Sequence, residues 1–361
     1  MRIALIVLTR GSVSGGFRKY IQRLIPLLRA HPDVERVALF VPPQMAAAGD
    51  ATWPVRDEMT GFRTLKRSIA QTNPDVVFIP TARALRVGDK PVVTMVRNME
   101  PLEVPFGGNT VAEGLKNVVR ARAARGAARR SDRVIAVSRH VRQFIVDHWD
   151  IPEERIGTVY HGIDATHAIT RPESIPEGRF LFTAGSIRPA RGLEDVIVAL
   201  KTLPDDVRLV IAGSVDRGAE HYDAKMRALA EQHGVSSRIV WAGHLDAASV
   251  AWCFAHAAAF VMTSRAEACP NIVLEAMANR ALSVSTDHPP MPEFFEDAAL
   301  YYRERNADDL GAKLREALAL TSDAREQLQE KSQTRASQFT WDATARATVE
   351  ELKKAISRGA R

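Results

Sequence analysis

Residues 264–278 read SRAEACPNIVLEAMA, and they show how the chain is built. The apolar run Phe260–Met262 precedes them and predicts a buried strand that ends at Thr263. A loop carrying Glu267 follows, and a helix is predicted from about Asn271, because apolar residues then recur at helical spacing. A strand, a loop and a helix in this order form the unit of a parallel sheet that helices cover on both faces.

The same unit recurs along most of the chain. In the first half, short apolar runs predict six strands: Ile3–Leu8, Val37–Val41, Val76–Pro80, Val92–Met95, Val134–Val137 and Ile156–Tyr160. In the second half, similar runs predict five: Phe180–Ala184, Leu209–Ala212, Ile239–Trp241, Phe260–Met262 and Leu282–Ser285. The stretch between the two series has no clear period, so we predict an N-terminal domain over residues 1–165, a linker at 166–178 and a second domain at 179–340.

Composition limits the possible partners and compartment. A chain of 361 residues suits two domains, and 46% hydrophobic with 25% charged residues is typical of globular proteins. The net charge of +6 favours anionic partners. Cys253 and Cys269 are the two cysteines, which is too few for a disulfide framework and indicates a reducing, cytoplasmic compartment.

Two glycine-containing turns are candidate phosphate sites. The first, Gly11–Gly16, follows the first strand, and Gly15 and Gly16 would let backbone N–H groups approach a phosphate. It lacks the G-x-G-x-x-G spacing of dinucleotide sites, and a simple permissive turn explains it equally well. The second, Gly185–Gly192, places Arg188 and Arg191 at the end of a strand, where they can clamp a diphosphate or form a solvated basic loop.

The third candidate is the opening stretch itself. Glu267 lies in the loop and Glu275 about one turn into an otherwise apolar helix. A carboxylate in such a place needs hydrogen-bonding partners, and sugar hydroxyls are suitable ones. The alternative is a surface glutamate in the loop and a salt-bridged glutamate on the helix.

These residues resemble a known family. The two glutamates, with seven residues between them, and the run Leu-Glu-Ala-Met-Ala around the second resemble the donor-site signature of glycosyltransferase family 4. Nearly the whole chain fits that family's layout, and the supporting matches are Gly15-Gly16, Tyr160–Asp164, Arg191-Gly192, Ile211–Gly213, Val240–Leu245 and Phe339–Trp341.

The resemblance implies an α/β fold of the GT-B type, in which two doubly wound Rossmann-like domains face each other across a cleft. The terminal helix at 341–361 would pack back on the first domain. It also implies retaining transfer of a hexose from a nucleotide-sugar to a glycan or lipid-linked saccharide, in the synthesis of cell-surface polysaccharide or glycolipid.

The resemblance further assigns roles to single residues. Gly16 would approach the donor phosphates, Arg191 stands where the family has a charge-compensating Lys, Glu275 would hold the ribose, and Glu267 would lie against the transferred sugar. The remaining donor contacts would come from the backbone of Cys269, Asn271 and Ile272 and from the segment around His244, which borders the base.

Two positions depart from the family. An Arg is usual where this chain has Ser186, and we expect Arg188 to supply the missing charge. A His is frequent on the acceptor side after the strand Val92–Met95, where this chain has Asn98. Because an amide does not titrate, this departure argues against a proton relay at that position.

A metal ion is not expected. No two aspartates are separated by a single residue, as they are in the Asp-x-Asp pair that holds a metal in many transferases. Arg188 and Arg191 would neutralise the leaving diphosphate instead. We expect the donor phosphate to take the acceptor's proton on the same face; a short-lived covalent intermediate is the alternative.

Basic residues crowd the segment Lys116–Arg133, which also has high helix propensity. Such a helix can lie on an anionic membrane and would place the protein peripherally on its inner face; a solvated helix face is the alternative. Nucleic acid is not an expected partner, because recognition motifs are missing and aromatic residues are scarce.

Other functions remain to be distinguished. A sugar-nucleotide epimerase or hydrolase on the same fold would share the diphosphate site but need no acceptor. A non-catalytic nucleotide-sugar-binding protein would not need both glutamates. The missing dinucleotide fingerprint argues against a dehydrogenase.

Overall fold

The computed structural model describes residues 1–8, 15–41, 52–54, 62–164, 169–175, 177–216 and 218–359. Two compact units make up the chain. The first contains Met1–Met99, Val118–Gly162 and Thr340–Arg361, and the second contains Glu100–Asn117 and Ile163–Phe339. Each unit is built around its own parallel sheet.

The first sheet has seven strands in the order β3-β2-β1-β4-β5-β6-β7, and every pair is parallel. Its strands are β1 Arg2–Ile6, β2 Arg36–Val41, β3 Thr52–Pro54, β4 Val76–Ile79, β5 Val92–Val96, β6 Arg133–Ala136 and β7 Ile156–Thr158. Central strands such as β4 and β5 are buried along their full length, because helices cover both faces of a parallel sheet.

The helices in this part of the chain are α1 Gly15–Ala30, α2 Phe62–Gln71, α3 Glu100–Glu103, α4 Val111–Arg130, α5 Arg139–Trp149 and, at the end of the chain, α13 Trp341–Gly359. Helix α1 buries Phe17, Ile21, Leu24 and Leu28, which recur at helical spacing and form one apolar face. Helix α3 and the first turns of α4 belong to the second unit.

The second sheet has six parallel strands in the order β10-β9-β8-β11-β12-β13. They are β8 Phe180–Ala184, β9 Arg208–Ala212, β10 Ile239–Gly243, β11 Ala259–Met262, β12 Ser283–Thr286 and β13 Ala299–Tyr302. The helices are α6 Leu193–Leu200, α7 Glu220–Gln232, α8 Ala247–His256, α9 Asn271–Ala278, α10 Met291–Phe295, α11 Ala307–Ala319 and α12 Ser322–Ala336.

The predicted α/β class is confirmed, and the eleven predicted strands are present with ends shifted by up to two residues. Sequence patterns missed β3, β13, α2, α3, α10 and α12. Helix α12 explains why: Ser332 and Ala336 are its buried residues, so it has no apolar stripe that could reveal a helical period.

The strand orders fix where each sheet can hold a ligand. In the second sheet the chain moves outward from β8 to β9 and β10, then returns to the other side of β8 with β11. The order reverses between β8 and β11, and doubly wound sheets bind ligands at the carboxyl ends of the strands at such a reversal. Among the described residues, no helix has the length and apolar character that crossing a membrane requires.

Candidate active site

The carboxyl ends of β8 and β11 lie side by side. Leu181 pairs with Ala259 and Phe182 with Phe260, so the residues that follow Ala184 and Met262 meet at the same edge of the sheet. The turn after β8 carries the two candidate arginines, and the loop after β11 carries Glu267. The structure therefore joins two segments that are about 75 residues apart in sequence.

Arg191 is the centre of this arrangement. It ends a short 3-10 turn, Pro189–Arg191, and is buried. Its Nη1 donates to Ser264 Oγ at 3.0 Å and lies 3.3 Å from Glu267 Oε1. Ser264 Oγ in turn donates to Glu267 Oε1 at 3.2 Å. A guanidinium, a hydroxyl and a carboxylate thus form one connected group.

The turn after β8 needs glycine to bring the guanidinium so close. Gly185 has φ of +130°, and a Cβ placed there would lie 2.3 Å from Arg191 Nη2. Glycine satisfies both the backbone conformation and the close approach of the side chain. Gly185 therefore suits both the positive φ of this turn and the packing of the Arg191 guanidinium.

Arg188 lies beside this group and is held by acids. Its Nη1 donates to Glu100 Oε2, and its Nε is 3.8 Å from Asp216 Oδ2. Glu100 is the first residue of α3. Arg188, Glu100 and Asp216 all belong to the second unit. Neither carboxylate was singled out from the sequence, because Glu100 is 88 residues from Arg188 and no local pattern links them.

The pKa values of the two arginines are shifted in opposite directions. Burial lowers the pKa of the Arg191 guanidinium, and the Glu267 carboxylate only partly opposes this effect. Burial also acts to lower the pKa of Arg188, but the carboxylates of Glu100, Glu267 and Asp216 outweigh it and raise that pKa above its ordinary value. Both guanidiniums keep their positive charge at neutral pH, because arginine does not deprotonate in proteins.

A second ion pair supports the loop that carries Glu267. Arg265 donates to both carboxylate oxygens of Asp195 on α6, at 2.7 and 2.6 Å. Tyr302 of β13 donates to the same carboxylate at 3.0 Å. Asp195 and Tyr302 are buried, so the loop is attached both to a helix, α6, and to a strand, β13.

The remaining donor-site candidates of the second unit lie at the same edge of the sheet. Glu275 is half-buried on α9, and His244 is exposed one residue after β10. The others stand at strand or helix ends: half-buried Ser186 after β8, buried Cys269 before α9, and half-buried Asn271 and Ile272 in its first turn. Pro270 precedes α9 and provides no side-chain cap for that turn.

The first unit holds the other candidates at the carboxyl edge of its own sheet. Gly15 and Gly16 are exposed at the start of α1, and a Cβ added to Gly15 would meet no atom within 4 Å. The preceding part of the predicted phosphate turn, residues 11–14, lies outside the described residues. Asn98 is exposed just after β5. Within the described ranges, no group of three or more His, Cys, Asp or Glu side chains is placed to hold a metal ion.

Two family models match the chain over most of its length. The model of Glycosyltransferase Family 4 matches residues 15–167, and the model of Glycosyl transferases group 1 matches residues 167–335. The chain belongs to the GT-B glycosyltransferases of family 4 type. The resemblance inferred from the two glutamates is therefore confirmed, and the boundary between the two models falls in the predicted linker.

Known proteins with similar sequence or structure agree with this family. The serotype-specific mannosyltransferase WbdA of Escherichia coli is 24% identical over 246 residues, which is 63% of this chain and 29% of WbdA. The chain thus spans about three-tenths of the length of that relative.

Solved structures show the same fold. HepE of Anabaena in complex with UDP-glucose superposes with a TM-score of 0.77 at 17% identity, covering 98% of this chain and 100% of HepE. WaaG, a glycosyltransferase involved in lipopolysaccharide biosynthesis, superposes with a TM-score of 0.67 at 17% identity, covering 97% of this chain and 99% of WaaG. The predicted GT-B fold is confirmed.

Proposed function

We propose that this family member is a retaining hexosyltransferase that needs no metal ion and uses a nucleotide-sugar donor. One observation carries the proposal: the buried Arg191 and Ser264 and the half-buried Glu267 form one connected group at the point where the strand order of the second sheet reverses. Sheets of this kind bind nucleotides at that point. A fixed cation there suits a diphosphate better than a neutral ligand.

Neutralising the leaving group is the main task of such a site. When the bond between the anomeric carbon and the β-phosphate oxygen breaks, negative charge accumulates on the diphosphate. Arg191 is held by two partners before the donor arrives, so its charge needs little reorganisation during the reaction. Arg188 lies beside it and would supply the second positive charge, in place of a metal ion.

Retention would follow from the route of the proton. The acceptor hydroxyl would attack the anomeric carbon on the face from which the diphosphate leaves, and a phosphate oxygen would take the hydroxyl proton. Glu267, close to Arg191, would place a carboxylate beside the positive charge that develops on the sugar.

The other candidates would complete the donor site. Glu275 would accept hydrogen bonds from the ribose, His244 would border the base, and the first turn of α9 would direct N–H groups at the β-phosphate. Gly15 and Gly16 remain proposed phosphate contacts. Supporting residues in the second unit are Ser186, Cys269, Asn271 and Ile272.

The names of similar proteins suggest the substrate class. WbdA is a mannosyltransferase, HepE binds UDP-glucose, and WaaG acts in lipopolysaccharide biosynthesis. We therefore extend the proposal to a hexose donor and a glycan or lipid-linked acceptor in cell-surface polysaccharide or glycolipid synthesis. Asn98 would contact the acceptor, by hydrogen bonding rather than by proton transfer.

Helix α4 favours a further partner, an anionic membrane. Val111, Leu115 and Val119 follow one another at four-residue spacing and are 73%, 58% and 65% exposed. Phe106 before the helix is also half exposed, and the basic side chains of Lys116 and Arg120 flank the stripe. Apolar residues that enter the headgroup region beside cations suit a protein whose acceptor is membrane-bound.

A donor-binding assay tests the proposed function. Thermal unfolding would be followed with UDP-, GDP-, ADP- and dTDP-sugars, because a ligand at about 100 times its Kd stabilises a protein by about 2.7 kcal/mol. We expect one nucleotide class to stabilise the wild type. Arg191→Ala should abolish that stabilisation and lower kcat/KM for transfer by about 10²–10³-fold, the usual effect of removing such a group.

Arg179 provides a matched control for this substitution. It precedes β8, whereas Arg191 follows that strand, and it forms an exposed pair with Asp206. Arg179→Ala should bind the donor as the wild type does, and Arg191→Lys should keep partial binding because it keeps the charge. If Arg191→Ala is folded and binds the donor normally, or if donor hydrolysis proceeds at full rate with no dependence on an acceptor, the proposed function is wrong.

A further inference from the structure

In the described part of the chain, the carboxylates beside the two arginines of the candidate site outnumber the two guanidiniums. Glu100 and Asp216 lie within ion-pair distance of Arg188, and Glu267 lies within ion-pair distance of Arg191. Among the residues that the structure describes, three carboxylates therefore lie within ion-pair distance of the two guanidiniums. A diphosphate that entered this group would add further negative charge, and at these short distances the repulsion would be strong unless one carboxylate moved away.

The three carboxylates are not equally suited to move. Glu267 is held by both Arg191 and Ser264. Asp216 is about half exposed and 3.8 Å from Arg188, so water screens its charge and its interaction is weak. Glu100 accepts directly from Arg188 Nη1 and is only 14% exposed, so it competes most strongly for that guanidinium.

We propose that Glu100 is an internal competitor of the donor: it binds Arg188 as a counter-charge and yields the guanidinium to the donor diphosphate. This inference rests on the proposed function, because it names the residue that the diphosphate displaces. An internal competitor weakens apparent affinity by the fraction of molecules in which the binding group is available. Glu100 would thus limit how tightly the enzyme holds the donor and the nucleoside diphosphate that it releases.

The exchange also involves the segment that carries Glu100. Residues 100–117 belong to the second unit, and the ion pair with Arg188 is one of their attachments to it. A second attachment is the contact of His221 Nε2 with the carbonyl oxygen of Gly108, at 3.3 Å. When the donor takes Arg188, Glu100 at the start of α3 loses this ion pair, so donor binding should loosen this segment.

Calorimetric titration with nucleoside diphosphate tests the inference. The probe is whichever of UDP, GDP, ADP and dTDP the wild type binds most tightly. Glu100→Gln should bind it roughly tenfold more tightly, as expected if Arg188 is available in about a tenth of wild-type molecules. The gain in affinity caused by Glu100→Gln should be smaller for the matching nucleoside monophosphate. It should disappear in the double variant Glu100→Gln, Arg188→Gln.

Two variants separate this effect from simple changes in charge or structure. Glu113→Gln removes the same charge from the same segment, where Glu113 is paired with Lys116 at the surface, and it should leave affinity unchanged. Glu100→Asp keeps the charge and should bind more weakly than Glu100→Gln. Equal gains in Glu100→Gln and Glu113→Gln, or no gain in a folded Glu100→Gln protein, would overturn the inference.

A measurement on the wild type avoids dependence on any variant's folding. In crystals soaked with the same nucleoside diphosphate, Arg188 should contact phosphate and should no longer contact Glu100. An intact Arg188–Glu100 pair beside bound diphosphate would refute the competition but leave the proposed function standing. If the wild type binds no nucleoside diphosphate, or binds it without any dependence on Arg191, the proposed function fails and this inference fails with it.

Discussion

Asp195 is a buried side chain that does not belong to the group of Arg191, Ser264 and Glu267, but it positions the loop that carries Glu267. Its carboxylate accepts from both arms of Arg265 and from Tyr302, so a helix, a loop and an edge strand share one acceptor. Burial acts to lower the pKa of Arg265, but the hydrogen bonds and charge of Asp195 raise it above its ordinary value. Arg265 lies two residues before Glu267, so this pair positions the loop.

We predict that Asp195→Asn destabilises the protein by about 3–5 kcal/mol, because it leaves the Arg265 charge buried without compensation. The chain contains a matched control. Arg179 and Asp206 form the same two-armed pair at 2.7 and 2.8 Å, but at the surface. Asp206→Asn should cost at most about 1 kcal/mol. Denaturant unfolding of both variants gives the comparison, and equal losses would contradict the argument from burial.

The two halves of helix α4 differ in the kind of side chain that they carry. Its first half exposes the stripe of Val111, Leu115 and Val119, and its second half carries most of its arginines. Both halves contain paired charges, since Arg125 and Arg129 lie near Asp150 and Lys116 lies near Glu113. The exposed apolar stripe therefore makes the first half the part of the helix best suited to a membrane surface.

We predict that the wild type floats with vesicles containing phosphatidylglycerol and not with pure phosphatidylcholine vesicles. Each cation near an anionic surface contributes about 1 kcal/mol, so the double variant Lys116→Gln, Arg120→Gln should bind roughly thirtyfold more weakly. Leu115→Asp should also weaken flotation, whereas Ile169→Asp, which changes an equally exposed apolar residue elsewhere, should not. Unchanged flotation of both α4 variants would exclude this helix as the contact.

At the scale of the whole molecule, the end of the chain completes the first unit. Helix α13 belongs to that unit, although the entire second sheet precedes it in sequence. Its Glu351 is buried and forms an ion pair with Arg133 at the start of β6. Stability of the first unit therefore depends on residues that are 218 positions apart in the chain.

Glu351→Ala should destabilise the first unit by about 3–5 kcal/mol, since it leaves the Arg133 guanidinium buried without its carboxylate. Its neighbour Glu350 pairs with Lys353 at the surface, so Glu350→Ala should change stability by less than about 1 kcal/mol. Because two units need not unfold together, hydrogen exchange by mass spectrometry is the appropriate measurement.

In Glu351→Ala, exchange should rise in β6 and α13 while β8 and β11 stay protected. A similar rise in the strands of both sheets would show that the two units unfold as one.

Local sequence patterns predicted helices and strands well where the apolar residues form a clear run or recur with a clear period. The strands β8 and β11 are short apolar runs, and this composition alone predicts that they are buried. The edge strand β13 was missed because it is only four residues long and its sequence, ALYY, shows no alternation of apolar and polar residues. Site residues were found in the same way: Arg191 and Glu267 stand in turns that follow clear strands.

By itself, the sequence determined the class of the fold, the order of its strands and helices, and the turns in which Arg188, Arg191 and Glu267 lie, because each depends on residues that are neighbours in the chain. Only the tertiary structure decided that Arg191 is held by Ser264 and Glu267, and that Arg188 is held by Glu100. The physical reason is that electrostatic energy depends on distance in space, and the strand order brings together charges that the sequence keeps far apart.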